Sequence, residues 1–364
     1  MKTIKEEKIA IVNYSREKDG TAIAARIYHD TLIEMGHSVI WYQIADRFDA
    51  EDYMKFPNVI HGSNFPISSL RPGYDRMIYL PNRMSQIPEK KVFLSDPTLI
   101  RMGLGRNFMV KVHDINPLTI YKEKRTSWAM FKYAMPRLKY ANGIIVTTDY
   151  MKQVVSDYFN DEEQVFIVPE PVNWTFEPRT QLNAQIIEKN EEKQILYVAA
   201  DRPYKNIRQF LDIAAEFQKK NFVNYKFVLV SRLRDVTLEY FKKLNLKNTK
   251  VLSNVPDMKD IYLNTDILVY PSLYEGFGRP IVEAMSMGIP TIAMDISPFK
   301  EIIGSDGILL KNPQLDEWIE SIISLSEKDK YEEFTMKAKN GYKQRFSADV
   351  FKLALNKAFR SFLE

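Results

Sequence analysis

The chain has 364 residues, about twice the usual length of one domain, so two domains are expected. Its 45% hydrophobic and 12% aromatic residues are sufficient for packed cores and exclude a disordered protein. Cysteine is absent, which excludes disulfides, thiolate zinc sites and a cysteine nucleophile. Because the net charge is only +4, no nucleic-acid partner is expected.

The N-terminal residues Met1–Glu7 include four charged residues and form no apolar signal segment. No run in the sequence approaches the ~18 apolar residues that a membrane span needs. This pattern predicts a cytoplasmic protein.

In the first half, short apolar runs alternate with a helical pattern, which is typical of parallel α/β sheets. Five runs predict buried strands: 8–13, 38–42, 77–80, 108–112 and 143–147. Between the first two, apolar spacing predicts a helix that Gly36 closes. Its inward-facing residues are Ile23, Ile27, Tyr28, Leu32 and Met35. The turn before it, Ser15–Thr21, contains one glycine, Gly20.

Residues 101–139 form a basic segment, in which Lys and Arg far outnumber Asp114 and Glu123. One interpretation is a solvated helix face. The other is a surface for anionic lipid or for a diphosphate-bearing acceptor, which would make the protein peripheral at the inner membrane face. The aromatic residues of this surface, at the headgroup level, would be Trp128, Phe131 and Tyr133.

Periodicity stops at Val168–Pro178, where three prolines follow the last predicted strand. We therefore predict one Rossmann-like domain over 1–172 and a second over 173–345. A C-terminal helix over 346–364 would pack back on the first domain. Two doubly wound sheets that face each other across a cleft bind ligands at the carboxyl ends of their strands.

The second half repeats the alternation, with strands predicted at 195–199, 226–231, 266–270 and 291–293. A helix follows the first of them, and Asn206 and Gln209 have capping-box spacing at its start. One face of this helix carries Ile207, Phe210, Leu211, Ala214 and Phe217. The loop before the helix contains Arg202 and Lys205. Two cations in a loop are usually solvated, but two fixed cations can also stabilise a leaving diphosphate without a metal.

The most informative motif is YPSLYEGFGRPIVEAMSMGIP, residues 270–290. A strand leads into a glycine-containing loop; Pro280 suits the first turn of the following helix and Gly288 its end. The backbone N–H groups of Gly276, Phe277 and Gly278 would then form an anion site at the helix N-terminus. Taken alone, Glu275 fits a solvated loop carboxylate and Glu283 a residue that favours the helix dipole.

Glu275 and Glu283, separated by seven residues in the setting EGFGRPIVEAMSMGIPTIA, resemble the donor-site signature of glycosyltransferase family four, which has the two-domain GT-B fold. The resemblance implies that Glu275 and the following amides contact the transferred sugar and its phosphate, and that Glu283 holds the nucleotide ribose. Arg279, also in this donor site, stands where the family more often has an apolar residue.

The resemblance extends to other positions. Arg202 and Lys205 are similar to the pair that clamps the donor diphosphate, although relatives have glycine where this chain has Asn206. His113 would contact an outer hydroxyl of the donor sugar; a hydrogen-bonded structural histidine is the alternative. Asp114 would orient that imidazole or cap the next turn. Further donor contacts would come from Gly20, Asn254 and Val255, the last two through backbone atoms at the nucleobase.

The resemblance implies a retaining, metal-independent glycosyltransferase, with the acceptor side in residues 1–172 and the nucleotide-sugar donor site in residues 173–345. It would move a hexose from a donor of the GDP-mannose or UDP-glucose type to a glycan, lipid-linked or other acceptor, with no cofactor. The sequence lacks a D-x-D pair and a G-x-G-x-x-G after the first strand, and its other histidines lack zinc spacing. The alternatives are a GT-B phosphorylase or epimerase, and a non-catalytic sugar-nucleotide-binding partner of another transferase.

Overall fold

A computed structural model describes residues 8–14, 20–45, 58–63, 71–115, 118, 125–158, 162–170 and 192–363. The chain divides into two compact units. Unit 1 takes the chain up to Glu170 and resumes at Phe351, whereas unit 2 runs from Pro171 to Val350.

Unit 1 is built on a parallel sheet, with seven strands in the described residues. These are β1 (Ile9–Asn13), β2 (Val39–Ala45), β3 (Val59–His61), β4 (Lys91–Leu94), β5 (Asn107–Lys111), β6 (Gly143–Val146) and β7 (Val165–Ile167). Their order is β3-β2-β1-β4-β5-β6-β7, so the winding reverses between β1 and β4. Both of these strands are buried at every position, because helices cover the two faces of such a sheet.

The helices of unit 1 begin with α1, which follows β1 as predicted. They are α1 (Gly20–Glu34), α2 (Arg71–Tyr74), α3 (Leu80–Met84), α4 (Ile100–Gly103), α5 (Arg125–Ala134) and α6 (Asp149–Ser156). Gly36 closes α1 with a left-handed φ of 89°, and the amide of His37 donates to the carbonyl of Leu32 at 3.0 Å. This is the glycine-terminated helix end that the sequence predicts.

The strand predicted at 77–80 is wrong. Residues Asp75–Tyr79 form a π-helical turn between α2 and α3, and Leu80 and Met84 reach the core from successive turns of α3. A four-residue apolar run fits a strand or the buried face of a helix equally well. Pro81 fits the first turn of α3, where its missing N–H has no helical partner to lose. The sheet strand of this region is β4, ten residues further on.

Unit 2 repeats the architecture of unit 1. Its strands are β8 (Lys193–Val198), β9 (Tyr225–Val230), β10 (Thr249–Leu252), β11 (Ile267–Tyr270), β12 (Thr291–Met294) and β13 (Ile308–Leu310). They are parallel, in the order β10-β9-β8-β11-β12-β13, and the winding reverses between β8 and β11. The four strands predicted for this half are confirmed, with small shifts at their ends.

Seven helices are described in unit 2. They are α7 (Ile207–Lys219), α8 (Asp235–Leu244), α9 (Met258–Leu263), α10 (Arg279–Ser286), α11 (Ser297–Ile302), α12 (Leu315–Leu325) and α13 (Lys328–Arg345). The predicted apolar face of α7 is confirmed, since all five of its residues are buried. The predicted capping box is wrong, because Asn206 has a left-handed φ of 52° and its side chain caps no amide. A capping side chain normally needs an extended backbone at this position.

The conformation of Asn206 explains why a glycine suits this position. For residues other than glycine, the left-handed region raises the conformational free energy by about 1–2 kcal/mol, and among these residues Asn tolerates it best. We expect Asn206→Gly to leave the free energy of unfolding nearly unchanged and Asn206→Ala to lower it by about 1 kcal/mol. Urea denaturation of the two variants checks this, and an alanine variant as stable as the wild type would contradict it.

The last described helix, α14 (Ala348–Leu363), packs on unit 1. Its buried residues are Phe351, Leu355, Ala358, Phe359 and Phe362, and they share a core with β1, α1 and β4. The rings of Tyr28 and Phe351 meet edge to face at 5.3 Å. Lys91 Nζ donates to the carbonyl of Leu363 at 2.6 Å. The chain therefore returns to unit 1 after completing unit 2.

Candidate functional site

In unit 2, the reversal of winding opens a crevice after β8 and β11. Ligands of doubly wound sheets bind at such a point, because the loops after the two strands diverge to opposite sides of the sheet. The loops here are 199–206 and 271–278. Each contains one of the two motifs that the sequence singles out for this half.

Hydrogen bonds join the two loops. The amide of Leu273 donates to the carbonyl of Tyr204 at 2.8 Å. Tyr197, buried under both loops, donates its hydroxyl proton to the carbonyl of Lys205, and its oxygen lies 3.2 Å from Ser272 Oγ. Burial raises the pKa of Tyr197 well above its ordinary value, so the hydroxyl stays a neutral donor. These hydrogen bonds fix the positions of the two loops relative to each other.

Lys205 and Glu275 form an ion pair across the two loops. Their side chains are only 14% and 10% exposed, and the hydroxyl of Tyr270 donates to the same Glu275 oxygen at 3.0 Å. Burial, and then the charge of Glu275, raise the pKa of Tyr270 well above its usual range, so it stays protonated beside the carboxylate. The fold therefore brings together a cation and a carboxylate that are 70 residues apart in the chain.

The glycine-containing loop ends at α10, with Pro280 in its first turn as predicted. Gly278 precedes the helix with a left-handed φ of 99°. A Cβ atom added at Gly278 would lie 2.7 Å from Cε1 of the buried Phe299 ring, so glycine is required here. Gly288 ends α10 with φ 68°, and its amide donates to the carbonyl of Met285 at 3.0 Å. This geometry fits an anion site at the start of α10.

Glu283, on α10, is buried between two donors. Arg279 Nε donates to its Oε1 at 3.0 Å, and the hydroxyl of Tyr262 donates to its Oε2 at 2.7 Å. Burial, and then the charge of Glu283, raise the pKa of Tyr262 well above its ordinary value, so this hydroxyl also remains a donor. Arg279 thus pairs with the carboxylate one turn further along its own helix.

The remaining donor-site candidates of unit 2 lie at the same edge of the sheet. Arg202 is exposed, at the start of the turn Pro203–Lys205. Its buried neighbour Asp201 accepts from the backbone amide of Arg234 at 2.7 Å, which anchors the loop to the start of α8. Asn254 and Val255 follow β10, and Asn254 has a left-handed φ of 54°. Their contacts with a donor stay predictions.

In unit 1, His113 lies just after β5. Its Nδ1 is 3.4 Å from Oε1 of Glu170, and its Nε2 is buried with no hydrogen-bond partner in the described part of the chain. Glu170 also pairs with Lys111. Sequence reasoning considered Asp114 for the imidazole and missed Glu170, which lies in the proline-containing segment taken as a domain boundary.

Other predicted positions are less informative. Gly20 is the first residue of α1, but 15–19, before it, lie outside the described residues. The same holds for Lys122 and Lys124 of the basic segment. Within the described ranges, no group of three or more His, Asp or Glu side chains could hold a metal ion. No helix there is both long and apolar enough to cross a membrane.

Comparisons with known proteins find similarity to glycosyl transferases. Residues 178–344 match the glycosyl transferases group 1. The chain is 28% identical over 283 residues to the O-antigen chain mannosyltransferase RfbU of Salmonella typhimurium, covering 74% of this chain and 75% of that protein. It is 26% identical over 235 residues to the O-antigen chain mannosyltransferase B of Escherichia coli, covering 61% of each chain.

The fold is similar to that of Anabaena Alr3699/HepE in complex with UDP-glucose. The TM-score is 0.74 at 18% identity, over 97% of this chain and 99% of that chain. Two parallel Rossmann-like sheets with this strand order make up the GT-B fold, as the sequence predicts. Residues 178–344, which match the group 1 glycosyl transferases, carry the paired glutamates and their partner lysine.

Proposed function

We propose that this protein is a retaining, metal-independent hexosyltransferase that uses a nucleotide-sugar donor. The observation that carries the proposal is the junction of Lys205, Glu275 and the start of α10 at the switch point of the unit 2 sheet. A cation, a carboxylate and helix N-terminal amides at one ligand-binding edge match the needs of a sugar diphosphate, which is anionic at one end and rich in hydroxyls at the other.

The leaving diphosphate would be stabilised by Lys205, Arg202 and the amides of Gly276–Gly278. As the glycosidic bond breaks, negative charge grows on the phosphate, and fixed donors aimed at that charge lower the barrier. An ammonium group has three N–H donors, and the ion pair with Glu275 needs only one of them. Lys205 can therefore pair with Glu275 and donate a hydrogen bond to a phosphate oxygen at the same time.

Glu275 would accept from hydroxyls of the transferred sugar, and His113 from an outer hydroxyl, as the family resemblance implies. Glu283 would hold the ribose. Because Arg279 and Tyr262 already donate to its two oxygens, the ribose hydroxyls must add to these contacts or displace them. Arg279 is accordingly part of the proposed donor site.

Retention requires the acceptor to attack from the face that the nucleotide leaves. We propose front-face substitution through an oxocarbenium-like state, in which the donor phosphate takes the proton of the acceptor hydroxyl. The C1–phosphate bond breaks as the bond from C1 to the acceptor oxygen forms. No enzyme nucleophile is needed on this route.

Mannose is the first candidate for the sugar, because the two relatives compared above are mannosyltransferases. Glucose is the second, since the similar Anabaena structure holds UDP-glucose. A thermal-shift screen of GDP-mannose, UDP-glucose and their free nucleotides tests this. Ligand at 100 times its dissociation constant stabilises the protein by ~2.7 kcal/mol, which is enough to rank donors. A protein stabilised by none of the nucleotide sugars would contradict the proposal.

Transfer itself separates an enzyme from a sugar-nucleotide-binding partner, which is the alternative function. Purified protein and the donor ranked first are incubated with and without acceptor glycans, and release of free nucleotide is followed. Turnover supports the enzyme. Tight donor binding without hydrolysis or transfer, in the presence of every acceptor class named above, would favour the binding partner.

Chelation provides a direct test of metal independence. We expect donor turnover to persist in EDTA, because Lys205 and Arg202 rather than a divalent ion would neutralise the diphosphate. Loss of turnover that Mg²⁺ or Mn²⁺ restores would contradict this part of the proposal.

The described part of the basic segment shows how cations and aromatic rings are arranged on unit 1. Lys132 Nζ lies 4.7 Å from the centroid of the Trp128 ring, and Arg137 Cζ lies 3.7 Å from that of Tyr133. Phe131, predicted to reach a headgroup layer, is only 6% exposed and packs in the core instead. Tyr140 is 59% exposed and is paired with Lys139. We propose this surface for weak contact with anionic lipid, which would present a lipid-linked acceptor.

Liposome flotation tests the membrane proposal. We expect binding to anionic but not to neutral vesicles and release at high salt, because basic groups near such a surface contribute ~1 kcal/mol each and salt screens them. A Lys132→Glu/Lys139→Glu variant should float less, whereas Lys219→Glu, an exposed charge reversal on unit 2, should not differ from wild type. Equal recovery from both lipid types, or no flotation, would contradict it.

A further inference from the structure

Three side chains of unit 1 form a connected group: Lys111, His113 and Glu170. Lys111 is the last residue of β5, and Glu170 follows β7. Glu170 Oε1 pairs with Lys111 Nζ and also lies 3.4 Å from His113 Nδ1. The carboxyl ends of parallel strands lie at one edge of a sheet, which is why residues far apart in the chain meet here.

The positive charge of Lys111 in this group has almost no contact with water. The Lys111 side chain is 1% exposed, and its ammonium lies 4.6 Å from the centroid of the Tyr28 ring. Burial, and then the charge of Glu170, raise the pKa of Tyr28 well above its ordinary value, so this phenol is neutral. Lys111 and Glu170 therefore compensate each other. A buried ion of either sign without its partner would be costly.

The contact with Glu170 favours a hydrogen on one of the two imidazole nitrogens, Nδ1. A carboxylate accepts hydrogen bonds only, so Nδ1 must carry a hydrogen to interact favourably with it. In a neutral imidazole the other nitrogen, Nε2, is then an acceptor. Nε2 of His113 is buried and meets no donor within the described residues. A buried Nε2 without a hydrogen can accept a hydrogen bond from a hydroxyl. It cannot accept one from a carbonyl or an ionised phosphate oxygen, because these have no hydrogen to donate.

We propose that Glu170 is a positioning residue that holds His113 in the Nδ1–H form, and that Lys111 fixes the Glu170 carboxylate through their ion pair. Nε2 then accepts a hydrogen bond from a hydroxyl of the bound sugar. Only this last step rests on the proposed function.

Imidazole ¹⁵N NMR tests the protonation state in the ligand-free protein. The chain has only four histidines, and His113→Gln identifies the signals of His113. We expect the Nδ1–H form in the wild type at pH 7.5. The double variant Lys111→Met/Glu170→Leu removes both charges, and such replacement of a buried ion pair usually preserves folding. Its His113 signals should shift toward the Nε2–H form. The charged and titratable neighbours are Lys111, Glu170, Asp114 and Tyr28.

An Nε2–H form in the wild type, or unchanged His113 signals in the double variant, would overturn the positioning role. Retained chemical shifts elsewhere show that the double variant is folded. Its KM for the donor should rise roughly 2- to 10-fold with a smaller change in kcat, the effect of losing one hydrogen bond. A changed tautomer with an unchanged KM would overturn the contact between Nε2 and the sugar. The proposed function fails differently, by an absence of transfer in the wild type.

Discussion

Lys205→Ala should lower the turnover of the donor about 100-fold or more. Removing one preorganised donor from a developing anion typically costs 10² to 10³ in rate, roughly 2.7–4 kcal/mol of transition-state stabilisation. The ion pair adds to the effect: without Lys205, Glu275 keeps the hydrogen bond from Tyr270 but loses its countercharge, and the carboxylate then repels the diphosphate. Steady-state turnover of the donor measures the loss.

The control for Lys205→Ala is Lys219→Ala. Lys219 lies at the end of α7, the helix that begins after the Lys205 loop, and its side chain is 76% exposed. Its turnover should equal that of the wild type. Circular dichroism and the unfolding midpoint show whether either variant has lost its fold. A folded Lys205→Ala protein with near-wild-type turnover would remove Lys205 from the site.

Gly278→Ala should lower the free energy of unfolding by roughly 2–5 kcal/mol, combining a strained backbone and overpacking. The left-handed φ of 99° disfavours any side chain, and the added methyl group would overlap the buried ring of Phe299. That ring is part of the unit 2 core and has little room to move. Urea denaturation measures the change.

The variant Gly304→Ala separates the backbone strain from the steric overlap with Phe299. Gly304 also has a left-handed φ, 54°, but a Cβ added there meets only the carbonyl oxygen of Lys300, at an ordinary 3.7 Å. It should cost only about 1–2 kcal/mol, the backbone part of the effect. Equal losses in the two alanine variants would show that the contact with Phe299 is unimportant.

All inner strands except one could be predicted from the sequence, and the edge strands could not. Inner strands such as Ile9–Asn13 and Ile267–Tyr270 are buried on both faces, so they are continuous apolar runs. The four edge strands have three or four residues and are mostly half-buried, as in Thr249–Leu252. The inner strand Lys91–Leu94 also went unpredicted, because it is short and opens with a lysine whose ammonium is satisfied by the distant Leu363 carbonyl.

In the candidate site, features formed by residues close in the sequence could be predicted, whereas contacts between residues distant in the sequence could not. Gly276, Gly278 and Pro280 are close in the chain and follow a strand, so the local sequence indicates an anion-binding helix start, while the glutamates are assigned through the family resemblance. Tyr262 and Glu170 could not be recognised, because their contacts with Glu283 and His113 exist only after strands distant in sequence become neighbours. Long-range pairing of this kind leaves no periodic signal in one sequence.

The position of α14 constrains the order in which the protein assembles during synthesis. Unit 2 is continuous in the chain, so its residues emerge from the ribosome as one block. The sheet of unit 1 emerges earlier. The apolar side chains that α14 covers, among them Ile11 and Phe93, remain uncovered until residues 351–363 have been translated. The unit that is synthesised first is therefore the last to be completed, and its nascent form has an apolar face for a chaperone to shield.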